Sequence, residues 1–245
     1  MKNIPLRDRI ILALDVPTPE LAKQLVLKTE SRLGYYKVGL QLFMADWFHT
    51  VDWIVERGHK VMVDLKFFDI PETVHLAVKQ LMARRVTLTT VHGNDAIVKA
   101  AMAATRDKSP DEGLQVLAVT VLTSFGEEDL RAMGMTQSIE DLVYFRAKRA
   151  LDLGCDGIVS SGLEAARLRS QLGEKLLIVT PGIRPGANIA AGDDQKRVMS
   201  AGQAIGSGAD YVVVGRPITK ADDPEYVIAS LQAEIEEVTT GALAK

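Results

Sequence analysis

Cysteine is almost absent from this chain of 245 residues: Cys155 stands alone. A single thiol rules out an intramolecular disulfide and suits a reducing compartment. Cys155 precedes the apolar run Gly157-Ile158-Val159, so it reads as a buried structural thiol rather than a nucleophile. A basic excess is missing too. The formal net charge of −3 provides no field for nucleic acid as a bulk partner, although a few local cations could still hold a small anion. No apolar run approaches the roughly 18 residues needed to span a bilayer. The first residues, Met1 to Arg9, lack the apolar stretch of a signal peptide. The expectation is a cytoplasmic protein with no membrane partner. His49, His59, His75 and His92 show no metal-ligand spacing, and no metal is expected. No Gly-x-Gly-x-x-Gly follows the first apolar run, which counts against a dinucleotide-binding sheet.

What is present is an even alternation of strand and helix signals. The composition, 47% hydrophobic and 25% charged, is that of an ordinary globular protein. Apolar runs that read as strands occupy residues 10–15, 35–39, 60–65, 86–92, 114–122, 157–160, 176–180 and 211–214. Helical segments lie between them. Thr18-Pro-Glu opens one that runs to about Leu33, where Gly34 ends it; another spans about Gln41 to Arg57 and stops at Gly58. Others cover about 72–85, 94–106 with Asn94-Asp95 as cap, 127–133, 138–153 from Ser138, 163–172 and 200–207. Asp223-Pro-Glu opens the last, with fraying expected after Val238. Strands followed by helices throughout predict a parallel sheet buried on both faces. About eight units without a composition break predict one (β/α)8 TIM-barrel domain over residues 1–245. An open doubly wound sheet is the alternative.

The centre of the chain is Asp64-Leu-Lys-Phe-Phe-Asp-Ile-Pro-Glu-Thr73. Residues two apart on a strand share a side, so Asp64 and Lys66 project together. Pro71 suits a helix start, which leaves Asp69 in the loop. Charges of alternating sign at one strand-to-loop junction suit proton transfer more than a surface strand. Barrel enzymes build their sites at the C-terminal strand ends. Those positions hold Asp15, Lys37, Asp64 with Lys66, His92, Thr120 with Thr123, Ser160, Pro181-Gly182 and Gly215-Arg216. The opposite ends show no comparable convergence. Gly182 and Gly215-Arg216 follow the seventh and eighth strands, where barrels bind phosphate. Glycine lets backbone N–H groups approach an anion, and arginine adds a bidentate cation. Arg184 and Gln195, in a glycine- and alanine-rich loop, could fold onto the same group. A Schiff-base lysine must be neutral. Lys66, with Asp64, Asp69 and Lys37 around it, suits proton donation better.

In this order the motifs closely resemble those of orotidine 5′-phosphate decarboxylases. They are Ala-Leu-Asp, Lys-Val-Gly, Asp-x-Lys-x-x-Asp-Ile-Pro-x-Thr, Leu-Thr-Ser, Thr-Pro-Gly-Ile-Arg and Gly-Arg-Pro, spanning about Ile10 to Thr219. The resemblance implies decarboxylation of orotidine 5′-monophosphate to UMP and CO2, the last step of de novo UMP synthesis, without cofactor or metal. Lys66 would protonate C6 after CO2 leaves, with Lys37 and Asp64 flanking it. Asp69, Ile70 and Thr73 would serve the site of the other subunit of a homodimer. Asp15 would bind ribose hydroxyls, and Thr123 with Ser124 would lie against the pyrimidine. Arg184, Gln195, Gly215 and Arg216 would hold the phosphate. Phe68 and Glu72 stand where many relatives carry histidine and asparagine. The competing readings are a metal-dependent sugar-phosphate decarboxylase, aldolase or synthase of the same barrel group, and a phosphate-ligand-binding regulator on an inactive barrel.

Overall fold

The computed structural model describes residues 2–106, 113–185 and 198–243. Eight parallel strands run β1 (Ile10–Ala13), β2 (Tyr35–Gly39), β3 (Lys60–Phe67), β4 (Leu88–His92), β5 (Gln115–Val119), β6 (Gly157–Val159), β7 (Leu177–Thr180) and β8 (Tyr211–Val214). Each pairs with the next, and β8 returns to β1 through Ile10–Val212, Ile11–Val213 and Leu12–Val214. That closure makes the fold a (β/α)8 TIM barrel and removes the open-sheet alternative. The helices are α1 (Leu6–Arg9), α2 (Pro19–Thr29), α3 (Leu40–Asp46), α4 (His49–Glu56), α5 (Pro71–Met82), α6 (Asp95–Ala104), α7 (Glu127–Ala132), α8 (Ile139–Asp152), α9 (Gly162–Leu172), α10 (Ala201–Gly206), α11 (Arg216–Thr219) and α12 (Pro224–Leu243). No described helix is long and apolar enough to cross a membrane.

Alternation along each strand divides the core. Ile11, Tyr35, Met62, Leu88, Leu117, Val159, Leu177 and Val213 fill the barrel, while Ile10, Leu12, Leu14, Tyr36, Val61 and Val63 pack outward among the helices. Gly157 is required inside: a Cβ there would lie 2.6 Å from Leu177 Cβ and 2.7 Å from its carbonyl oxygen. Cys155 is buried, and its thiol donates to Val116 O at 3.1 Å. Burial pushes its pKa up to about 12, as a structural thiol requires.

Several local expectations are corrected. Residues 41–57 form two helices, because Trp47 adopts φ 49° and breaks the run between α3 and α4. α2 ends at Thr29, not Leu33. Gly34 serves instead to admit Asp8, whose Oδ1 would lie 2.4 Å from a Cβ at that position. Thr18 and Ser138 do cap their helices through the N–H groups of Leu21 and Asp141, whereas the Asn94 side chain makes no cap bond. The last helix persists to Leu243, beyond the predicted fraying point. The N-terminal strand ends are also more charged than expected. Asp8, Arg9 and Asp210 are buried there, but Lys60, Lys2 and Arg169 pair with the acids, and this end acts as a clamp rather than a cleft.

Candidate active site

A cleft of about 610 Å³ opens at the C-terminal ends of the strands. Its floor is a chain of alternating charges. Asp15 follows β1, Lys37 sits on β2, and Asp64 and Lys66 sit on β3. Lys37 Nζ donates to Asp15 Oδ1 at 3.0 Å and lies 3.4 Å from Asp64 Oδ2. Lys66 Nζ donates to Asp64 Oδ1 at 2.9 Å. Lys37 and Asp64 are buried, while Lys66 and Asp15 reach the cleft. Gly39 makes room for the chain: a Cβ there would meet Asp15 Oδ1 at 2.7 Å and Lys37 Nζ at 2.9 Å.

The neighbours decide the charge states. Burial opposes the charge on Lys37, but Asp64 and Asp15 outweigh it and hold its pKa above the ordinary lysine value. Burial likewise opposes ionisation of Asp64. Lys37 and Lys66, with hydrogen bonds from Lys66 and Thr90, reverse that and hold its pKa below the ordinary carboxylate value. Lys37 and Asp64 are therefore both charged at neutral pH. A lysine that faces the cleft with its Nζ on a buried, ionised carboxylate suits proton donation to a developing carbanion.

Of the residues singled out from sequence, Asp15, Lys37, Asp64, Lys66, Thr123, Ser124, Pro181, Gly182, Arg184, Gly215 and Arg216 line this one cleft. Gly182 has φ 80°, a conformation that glycine adopts without strain. Asp69, Ile70 and Thr73 do not line it; they are exposed, and Asp69 Oδ1 accepts from Ile70 N at 2.7 Å. Gln195 lies outside the described residues. His92, Thr120 and Ser160 face other surroundings. His92 packs its ring against Phe68 with centroids 5.0 Å apart, and desolvation, then Arg146 and Lys66, lowers its pKa. Thr120 Oγ1 donates to Val159 O at 3.0 Å.

Two participants escaped the sequence reading. Lys220 lines the cleft four residues after Arg216, and this i, i+4 spacing could have marked it. Thr90 donates to Asp64 Oδ1 at 2.8 Å. Counting back by two from His92 along β4 would have turned it inward. Among the described residues, no group of three or more His, Cys, Asp or Glu side chains is placed to hold a metal ion.

The sequence model of the orotidine 5′-phosphate decarboxylase / HUMPS family matches residues 8–231. The chain belongs to this family. An orotidine 5′-phosphate decarboxylase of Methylococcus capsulatus is 52% identical over 238 residues, covering 97% of this chain and 96% of the relative. One of Rhodopseudomonas palustris is 45% identical over 233 residues, covering 95% and 97%. The crystal structure of the orotidine 5′-phosphate decarboxylase of Lactobacillus acidophilus superposes with a TM-score of 0.81 at 31% identity, over 93% of this chain and 99% of that one. Family and relatives together make the chain an enzyme, a carbon–carbon lyase of the carboxy-lyase type.

Proposed function

We propose that the protein decarboxylates orotidine 5′-monophosphate to UMP and CO2, the closing step of pyrimidine nucleotide biosynthesis. The observation that carries this reading is the chain Asp15–Lys37–Asp64–Lys66 on the floor of the cleft. When the bond from C6 to the carboxylate breaks, its electron pair stays on C6 and CO2 departs. The Lys66 ammonium stabilises that charge and then gives its proton to C6; water returns a proton to Lys66. Asp64, itself anchored by Lys37, holds the ammonium in place. Asp64, kept ionised by both lysines, lies beside the departing carboxylate. Asp15 takes the ribose hydroxyls, and Thr123 with Ser124 takes the pyrimidine. Arg184, Gly215 and Arg216, assisted by Gln195, take the phosphate, whose binding energy orients the ring.

The same reading makes the enzyme a homodimer with shared sites. Asp69, Ile70 and Thr73 are exposed and do not line their own cleft. Leu40, Met44, Trp47, Phe68 and Leu76, on the segments that follow the neighbouring strands β2 and β3, are exposed apolar residues. A second copy that covers this face would bring its own Asp69 to Lys66.

Loss of orotate-ring absorbance on incubation with orotidine 5′-monophosphate tests the activity. Turnover should survive EDTA. Activity that disappears with EDTA and returns with Mg²⁺ would favour the sugar-phosphate relatives instead, and nucleotide binding without turnover would favour a regulator. Mixing inactive Lys66→Ala and Asp69→Ala proteins should restore activity through heterodimers with one intact site. Continued inactivity despite proven subunit exchange would refute sharing.

A further inference from the structure

The β3–β4 ladder is irregular where the charges sit. Val63 pairs with Thr89 and Phe67 with Val91, so four steps along β3 match two along β4. Within that excess, Lys66 adopts φ 49°, the left-handed region that side-chain-bearing residues enter only at an energetic cost. A residue in such a conformation needs neighbours that hold it there.

Thr90 provides that support. It is fully buried and is not among the residues that line the cleft. Its hydroxyl oxygen accepts the Lys66 backbone N–H at 3.0 Å, and its proton goes to Asp64 Oδ1 at 2.8 Å. That same carboxylate oxygen accepts from Lys66 Nζ at 2.9 Å. The three residues form a closed ring: Lys66 N–H to Thr90, Thr90 O–H to Asp64, and Asp64 back to the Lys66 ammonium. A hydroxyl has one proton and two lone pairs, so both bonds are available at once. The β-branch of threonine stiffens the side chain that makes them. Neighbouring Thr89 lacks this connection, since its hydroxyl only donates to Val63 O at 3.0 Å.

We infer that Thr90 is a positioning residue: its buried hydroxyl holds Lys66 in the left-handed bulge and fixes the Asp64 carboxylate, so the ammonium is aimed into the cleft before substrate arrives. The kinetic part of this inference rests on the decarboxylase reading, and the structural part does not. Without the hydroxyl, a backbone N–H and a carboxylate oxygen both lose a buried partner, and the bulge relaxes. Rate suffers while nucleotide binding persists, because Thr90 touches neither the ribose nor the phosphate region.

Thr90→Val keeps the shape without the hydroxyl, and Thr90→Ser keeps the hydroxyl. The valine variant should lose about 10- to 100-fold in kcat, the effect of one hydrogen bond to a charged group. Its affinity for UMP, measured by calorimetry, should stay near native. The serine variant should recover most of the rate, and thermal melts establish that both variants fold. In a crystal structure of Thr90→Val, Lys66 should leave the left-handed region or Asp64 should rotate away from its ammonium. Native kcat in the valine variant, a serine variant as slow as valine, or UMP affinity falling in step with kcat would overturn the inference, as would an unchanged Lys66–Asp64 geometry in that crystal. If the native protein fails to turn over orotidine 5′-monophosphate, the decarboxylase reading falls, and the crystal comparison still decides the role of Thr90.

Discussion

Asp64→Asn removes the middle of the charge chain while keeping its shape. The residue most affected is Lys37, which is 6% exposed and whose ammonium lies 3.4 Å from Asp64. At an effective dielectric of about 20, attraction over that distance is about 5 kcal/mol. Relief of the buried carboxylate offsets part of it. Breaking one side of a buried pair costs about 3–5 kcal/mol. Lys37 keeps Asp15, which is half-exposed, so the lower end applies: about 3 kcal/mol at neutral pH. For a chain of this size that lowers Tm by roughly 6–12 °C. The pH dependence has a definite sign. The folded pKa of Asp64 is depressed, so its contribution is present above the unfolded carboxylate pKa and is lost as pH falls through the folded value. The folded pKa of Lys37 is raised, so its contribution is present below the unfolded lysine pKa and is lost as pH rises through the folded value. In the variant, burial of Lys37 is opposed by Asp15 without Asp64. Its folded pKa drops, and the variant gains on the native protein in mild alkali. Denaturant unfolding of both proteins near pH 3.5, 7 and 9.5 should therefore show a stability gap that is widest at about pH 7. Equal midpoints at neutral pH, or a gap that does not change with pH, would refute this electrostatic account.

Two further outcomes follow from close packing. Gly39→Ala places a methyl group against the ends of two flexible side chains, Asp15 and Lys37. Turnover should fall by roughly tenfold or more as the chain is displaced, with only a small change in melting temperature; unchanged turnover would mean that the Asp15–Lys37 contact has no catalytic value. Cys155, buried with a pKa pushed up to about 12, should resist iodoacetamide at mildly alkaline pH in the folded protein and react once urea unfolds it. Rapid alkylation of the folded protein would contradict its burial.

The barrel was legible because the strands are apolar runs buried on both faces and several helix starts have a local signal, as Thr18 and Ser138 do. The charge chain was legible because Asp15, Lys37, Asp64 and Lys66 all lie at strand ends, and parallel closure brings strand ends together. What stayed hidden depends on contacts between distant segments. A period-two reading of β3 brought Asp64 and Lys66 to one side but not the bulge that turns Lys66 over, because the bulge exists only against β4. The sequence places Thr90 in the fourth strand and nothing more; its role comes from two hydrogen bonds to β3. Gly34 resembled a helix stop, while its actual role is to admit Asp8 from a separate segment. The break at Trp47 left no mark in the sequence, since tryptophan is not a residue that favours positive φ. Asp69, Ile70 and Thr73 do not line one chain's cleft, and the role proposed for them depends on a second copy.

The central claim is that the ammonium of Lys66, held by Asp64, which Lys37 anchors, is the acid at the reacting carbon. Turnover of orotidine 5′-monophosphate by native protein and by Lys66→Ala, followed by loss of orotate absorbance alongside UMP affinity, tests it most directly. The account predicts metal-independent turnover by the native enzyme, a loss of at least about a thousand-fold in Lys66→Ala, and UMP affinity largely retained. A Lys66→Ala variant that turns over within a few-fold of native, or native protein that leaves the substrate untouched, would contradict it.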